Sequence, residues 1–153
     1  MNRISLTALS LSASALVGIA VHEAYRPVAY LPTPNDVPTI GFGTTEGVKL
    51  GDKITVERAL VRLLADAGTY QAQLRTCIGD VPLHQHEWDA YVSWAYNVGT
   101  GAACRSTLVR KLKAYDYAGA CAELLRWDKQ AGRTLPGLTK RREAEYKLCM
   151  GAS

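Results

Sequence analysis

Four prolines fall between residues 27 and 38, at Pro27, Pro32, Pro34 and Pro38, and no continuous helix can pass through them. Each lacks an amide hydrogen and sets its ring against the carbonyl four residues back, a cost of about 3 kcal/mol inside a helix. The stretch HEAYRPVAYLPTPNDVPTIGFGTTEG, residues 22–47, is therefore read as turn and small sheet. Within it, 37–44 reads as a short strand whose glycines permit sharp bends.

Downstream the period changes. Val56, Leu60, Leu63, Leu64, Ala67 and Tyr70 recur at helical spacing behind Thr55 as N-cap, predicting a long amphipathic helix that ends near Cys77. After a break over 78–82, a helix over 84–96 carries Trp88, Tyr91, Val92 and Ala95 and stops at the glycines of 97–101. Two shorter helices follow, over 106–114 and 116–127, with Ser106 and Asp116 as caps. Residues 130–137 read as a loop and 138–149 as a last, charged helix. At 153 residues, 48% of them hydrophobic, the chain suits one domain with a real core. The fold class is α+β, a small β-containing N-terminal lobe followed by a mainly helical C-terminal lobe.

The N-terminus is a separate question. Residues 4–21 carry no charge over 18 positions, and Arg3 stands before them. That length reaches the lower limit for a helix that crosses a bilayer. Four serines, four alanines, a threonine and a glycine dilute its leucines and valines, so insertion would be only marginally favourable. A cleaved secretory signal, a weak anchor and an ordinary buried helix all fit the pattern. The first two agree that the domain is exported. Four cysteines, Cys77, Cys104, Cys121 and Cys149, show no CxxC spacing. In an exported domain they read as two disulfides, for which three pairings are possible; otherwise they are buried thiols.

The formal net charge of +4 is spread through the C-terminal half. It suits any polyanion, whether nucleic acid, an anionic membrane surface or an acidic cell wall. No zinc-finger or RRM pattern accompanies it, so nucleic acid is not an expected partner. There is no GxSxG, His22, His84 and His86 form no recognisable triad, and His84 and His86 at a helix start read as surface polar residues in preference to metal ligands, so no metal is expected. Carboxylates remain. Glu23 precedes the sheet region, while Asp36 and Thr39 lie in or beside it. Glycoside hydrolysis uses such a set: one carboxylic acid protonates the leaving oxygen, and a second group holds water or stabilises the oxocarbenium-like transition state. The competing reading makes Glu23 a helix-end charge and Asp36 a turn former.

Five blocks, HEAYRPVAY, VPTIGFGTT, AYNVGTGAACRSTLVRKL, DYAGACAELLRW and GLTKRREAE, occur in an order that resembles phage endolysins of the T4-lysozyme-like glycoside hydrolase family (family 24), specifically their signal-anchor-release (SAR) branch. The resemblance covers residues 22–150. It implies a muramidase that cuts the β-1,4 bond between N-acetylmuramic acid and N-acetylglucosamine without a cofactor. It also implies a division into an N-terminal signal-anchor-release segment, 1–21, and a catalytic domain, 22–153. The enzyme would be a monomer acting on peptidoglycan in the host periplasm, tethered to the inner membrane by its N-terminal segment and then released.

Glu23 matches the family's acid and Thr39 its threonine. The middle residue departs from the pattern: Pro32 stands where the family has Asp or Cys, and the interval from Tyr30 to Thr39 is one residue longer. Asp36 is the nearest carboxylate and the candidate third member. Without a carboxylate there, a lytic transglycosylase, in which the sugar's own 6-hydroxyl attacks, is the alternative. A cell-wall-binding or membrane-active module, or an exported structural protein on the same fold, are the non-enzymatic alternatives. Phe42 is expected to pack under the site, with Asn97, Arg105, Arg126 and Arg142 as candidate substrate contacts. Two disulfides are expected, Cys77 with Cys104 to tie the long helix to the loop before Ser106, and Cys121 with Cys149 to pin the last helix.

Overall fold

A computed structural model describes residues 1–152. The chain runs through a 3-10 turn (Leu6–Ala8), α1 (Ala13–Glu23), β1 (Arg26–Tyr30), β2 (Thr39–Gly41), α2 (Val56–Ile78), α3 (Gln85–Val98), α4 (Thr100–Cys104), α5 (Thr107–Lys113), α6 (Tyr117–Glu123), a 3-10 turn (Leu124–Arg126), β3 (Lys129–Gln130), β4 (Arg133–Thr134) and α7 (Pro136–Cys149). β1 and β2 form an antiparallel pair, Arg26 opposite Gly41 and Tyr30 opposite Thr39, with an irregularity between. The prolines thus end in a small hairpin lobe, and the helices form the other lobe.

Local chemistry sets most helix starts. Thr55, Ser106 and Asp116 accept hydrogen bonds from Arg58, Val109 and Gly119 amides at 3.4, 3.2 and 2.9 Å, each satisfying an otherwise orphaned first-turn donor. At α3, Glu87 reaches back to the His84 amide at 2.8 Å. α3 is the central helix: Glu87 to Tyr96 are all buried, and α7, α2, α1 and α4 pack around it. Trp88, Tyr91 and Trp94 supply the bulk of its apolar surface. Cys77 is joined to Cys104 and Cys121 to Cys149, the expected pairing.

Two expectations need correction. Residues 130–137 are not a plain loop: Lys129–Gln130 and Arg133–Thr134 pair as a minimal hairpin, and α7 begins at Pro136, where a first-turn proline loses no hydrogen bond. Residues 4–21 are not one helix. Leu6 and Leu9 are buried in the main core, the chain is extended at Leu9, and α1 begins only at Ala13. The cause is polar. Arg75 donates to the Leu6 and Leu9 carbonyls at 3.1 and 2.5 Å, Gln71 accepts from the Leu11 amide at 2.7 Å, and Asp89 accepts from both the amide and the hydroxyl of Ser12. Arg75 holds the end of the 3-10 turn, whose Leu6 carbonyl also accepts from the Leu9 amide at 3.2 Å, and Asp89 fixes Ser12 as the cap from which α1 starts afresh. No described helix is long and apolar enough to cross a membrane, and residues 1–21 share the core of the remainder.

Candidate active site

Glu23 is the last residue of α1, and Ala24 turns the chain into β1 with a φ of 55°. That left-handed value is uncommon for a residue with a Cβ. The turn delivers the Glu23 side chain to the junction of the lobes, about 20% exposed. Its Oε1 accepts from Arg141 Nη1 at 2.9 Å. On the Oε2 side lies Gly43: a Cβ there would meet Oε2 at 3.0 Å and the Tyr96 ring at 3.5 Å, and its φ is +84°. Glycine is required twice over, by the close approach and by the backbone. Tyr96 donates to the Phe42 carbonyl at 2.7 Å and fixes this strand end against α3.

Arg141 is itself held. Its Nε donates to Glu145 Oε1 at 3.2 Å and its Nη2 to the Ser93 carbonyl at 3.1 Å. Glu145 also accepts from the Ser93 hydroxyl at 2.8 Å and pairs with Arg142 Nε at 2.8 Å. Burial pushes the Glu145 carboxyl above the ordinary carboxylate range, against the pull of both arginines, and lowers Arg142 below its own. His22, beside Glu23, is held below the usual histidine value by burial and by the Arg141 and Arg142 charges. Two arginines thus face two glutamates, and the network fixes the direction in which Glu23 points.

Thr39 is buried at the start of β2, and its hydroxyl donates to the Val37 carbonyl at 3.1 Å. With that hydrogen committed, its lone pairs remain free to accept. Beside Gly43 a concavity of about 170 Å³ is lined by Thr45, Glu46, Asp66, Tyr70 and Gln73 among others. Asp66 accepts from the Thr44 hydroxyl at 2.6 Å. Burial raises the Tyr70 phenol, with the Asp66 and Glu23 charges adding to the effect.

The other expected residues divide. Phe42 is buried and stacks obliquely on Tyr25, centroids 5.6 Å apart. Asn97 is exposed and accepts from Arg142 Nη2 at 2.9 Å. Arg105 is exposed, and Arg126 is exposed with a 3.5 Å contact to Glu123. Arg142 corrects its expectation: at 0% exposure it belongs to the buried ion network and reaches no substrate. Asp36 is exposed, and its oxygens accept from the Val37 amide at 2.9 Å and the Thr33 hydroxyl at 3.1 Å, so its carboxylate serves its own turn. Arg141, Glu145, Gly43 and Tyr96 were not anticipated. Only the Arg-Arg-Glu-Ala-Glu run, with Arg141 and Glu145 four apart on one helix face, carried a signal for them. Among the described residues, no group of three or more His, Cys, Asp and Glu side chains could hold a metal ion.

A glutamate oriented by a buried arginine at a lobe junction, over a short hairpin, is the architecture of a lysozyme-like hydrolase. The phage lysozyme family model matches residues 20–145, and the chain belongs to that family. It is 41% identical over 144 residues to an endolysin of Acyrthosiphon pisum secondary endosymbiont phage 1, covering 92% of this chain and 97% of the relative. It is 34% identical to the SAR-endolysin of Pseudomonas phage phiKMV, covering 92% and 89%. Among solved structures, the endolysin from Escherichia coli O157:H7 phage FAHEc1 superposes with a TM-score of 0.79 at 34% identity, over 94% of each chain. The activity that follows is that of a glycoside hydrolase, a peptidoglycan-lysing endolysin.

Proposed function

We propose that the enzyme is a muramidase, hydrolysing the β-1,4 bond between N-acetylmuramic acid and N-acetylglucosamine, and that Glu23 is its general acid. The observation that carries this reading is the asymmetry of the Glu23 carboxylate. Arg141 holds Oε1, and Oε2 faces the hairpin at Gly43 with no such partner. Oε2 is then the oxygen that carries the proton to the leaving sugar. Thr39 accepts a hydrogen bond from the attacking water, whose lone pair bonds to the anomeric carbon as the glycosidic bond breaks; the water's surplus proton leaves to solvent, from which Glu23 is reprotonated. Glu→Gln keeps the shape and removes the proton, so Glu23→Gln is expected to lose about 10²- to 10⁴-fold in turnover with its melting temperature retained. Activity within tenfold of the parent would sink the assignment.

A second reading has its own observation. Pro32 occupies the position of the family's middle residue, and Asp36 is engaged in its turn. With no carboxylate to activate water, attack by the sugar's 6-hydroxyl gives a lytic transglycosylase using the same acid.

The N-terminal segment supports a tether that is later released, in a monomer acting in the host periplasm. Glu23 ends α1, so membrane insertion of α1 would carry Glu23 away from Arg141 and Gly43. Docking gives Arg75, Gln71 and Asp89 their partners in residues 6–12. Val17 and Val21 remain exposed on α1, as an apolar face once directed to lipid would. The relative from phage phiKMV is named a SAR-endolysin.

A further inference from the structure

On the hairpin lobe lies a second concavity of about 440 Å³, larger than the one at Gly43. Ile40 and Ile54 line it together with Lys53, Arg58 and Arg62. Asp52 is the one acidic residue in the lining, so the charge there is net positive. Thr55, Arg58 and Arg62 are spaced three and four apart and share a face of the α2 start. Among the described residues, none of the three cations has a carboxylate within ion-pair distance. The Asp52 carboxylate instead accepts the Lys49 amide at 2.9 Å.

The concavity is also ordered. Arg62 Nη2 donates to the Glu46 carbonyl at 2.5 Å. The backbone either side of Lys53 is pinned to β1, Ala29 donating to Asp52 and Ile54 to Pro27, both at 2.9 Å. Arg62, already held in place, loses little freedom on binding, and guanidinium groups match planar carboxylates. Ile40 follows Thr39 directly on β2, and successive strand residues point to opposite faces. The concavity therefore backs onto the Thr39 side of the site across a single strand.

We propose that this concavity is an exosite for the carboxylates of the peptides that peptidoglycan carries on its sugars. The proposal rests on the peptidoglycan reading above and names which part of the polymer the hairpin lobe grips. An extended peptide of about four residues spans roughly 13 Å, enough to pass from a sugar beside Thr39 around one strand. Contacts of this kind govern capture of the insoluble wall and leave the chemistry at Glu23 alone.

The test compares sedimentation of the Glu23→Gln protein with purified sacculi, with and without added Lys53→Glu and Arg58→Glu, at low and high salt. The charge reversals are expected to weaken binding roughly tenfold at low salt and to flatten its salt dependence. Arg58→Lys, which keeps the charge and loses the planar fork, is expected to bind between the parent and Arg58→Glu. In the active enzyme, the same reversals are expected to leave hydrolysis of peptide-free glycan strands of alternating N-acetylmuramic acid and N-acetylglucosamine, and the melting temperature, unchanged. Equal sacculus binding with and without the reversals overturns the exosite. So does a loss confined to phosphatidylglycerol vesicles, which would make the surface a membrane contact. The two readings fail separately, because hydrolysis that survives in Glu23→Gln counts against the acid and not against this surface.

Discussion

Arg141 and Arg142 are consecutive in the chain and have different partners. One guanidinium reaches Glu23, and the other is sealed in the interior against Glu145 and Asn97. A helix turns about 100° per residue, so a reading without the helix phase cannot separate them, and the substrate contact expected of Arg142 failed for that reason. Glu145 is the hinge of the set, since both arginines lean on it. Removing the charge on one member of a buried ionic group leaves the others uncompensated, typically at about 3–5 kcal/mol. Glu145→Gln is therefore expected to lower unfolding stability by that amount in urea titration, and to lower turnover by letting Arg141 drift from Glu23. A loss under about 1 kcal/mol would mean that water already reaches the pair.

The loop between β1 and β2 decides whether a second carboxylate takes part. Its prolines forced the reading of turn and sheet, and the hairpin is there. What the pattern left open was the use of Asp36, which depends on contacts made inside the folded loop. Thr33 and Val37 claim its oxygens, so Asp36→Ala is expected to keep turnover within a few-fold of the parent and to show its effect as a small fall in melting temperature. A loss near 10²-fold, the scale of acid–base catalysis, would return Asp36 to the chemistry. The same division between local and distant causes explains the other elements. α2, α3 and α5 were legible because their caps and apolar periods are written in their own residues. α4 was not, because Gly99 and Gly101 read as a stop while the Cys77–Cys104 bond holds that turn against α2. The β3–β4 hairpin, with a turn at Ala131 and Gly132 in positive φ, is too short to show a period. The break in residues 4–21 was hidden because Gln71, Arg75 and Asp89 lie about sixty or more positions away.

For the whole molecule, the proposed account is a competition for one segment between a bilayer and the helical lobe. Ser12 belongs to both sides of it: it weakens the membrane span, and in the folded state it caps α1 and binds Asp89 at 2.7 Å. Leucine at Ser10, Ser12 and Ser14 is expected to favour the bilayer and to remove that docking contact, leaving the chain in the membrane fraction with lysis delayed or abolished. Lysis at the normal time, or a mature protein beginning after residue 15, would indicate a cleaved signal instead. The central claim remains hydrolysis of the glycan by water, with Glu23 as acid and Thr39 holding the water. Mass spectrometry of the soluble fragments released from purified peptidoglycan tests it most directly. Reducing N-acetylmuramic acid ends, each carrying the added water, are the predicted result; 1,6-anhydro ends, which lack it, would contradict the account.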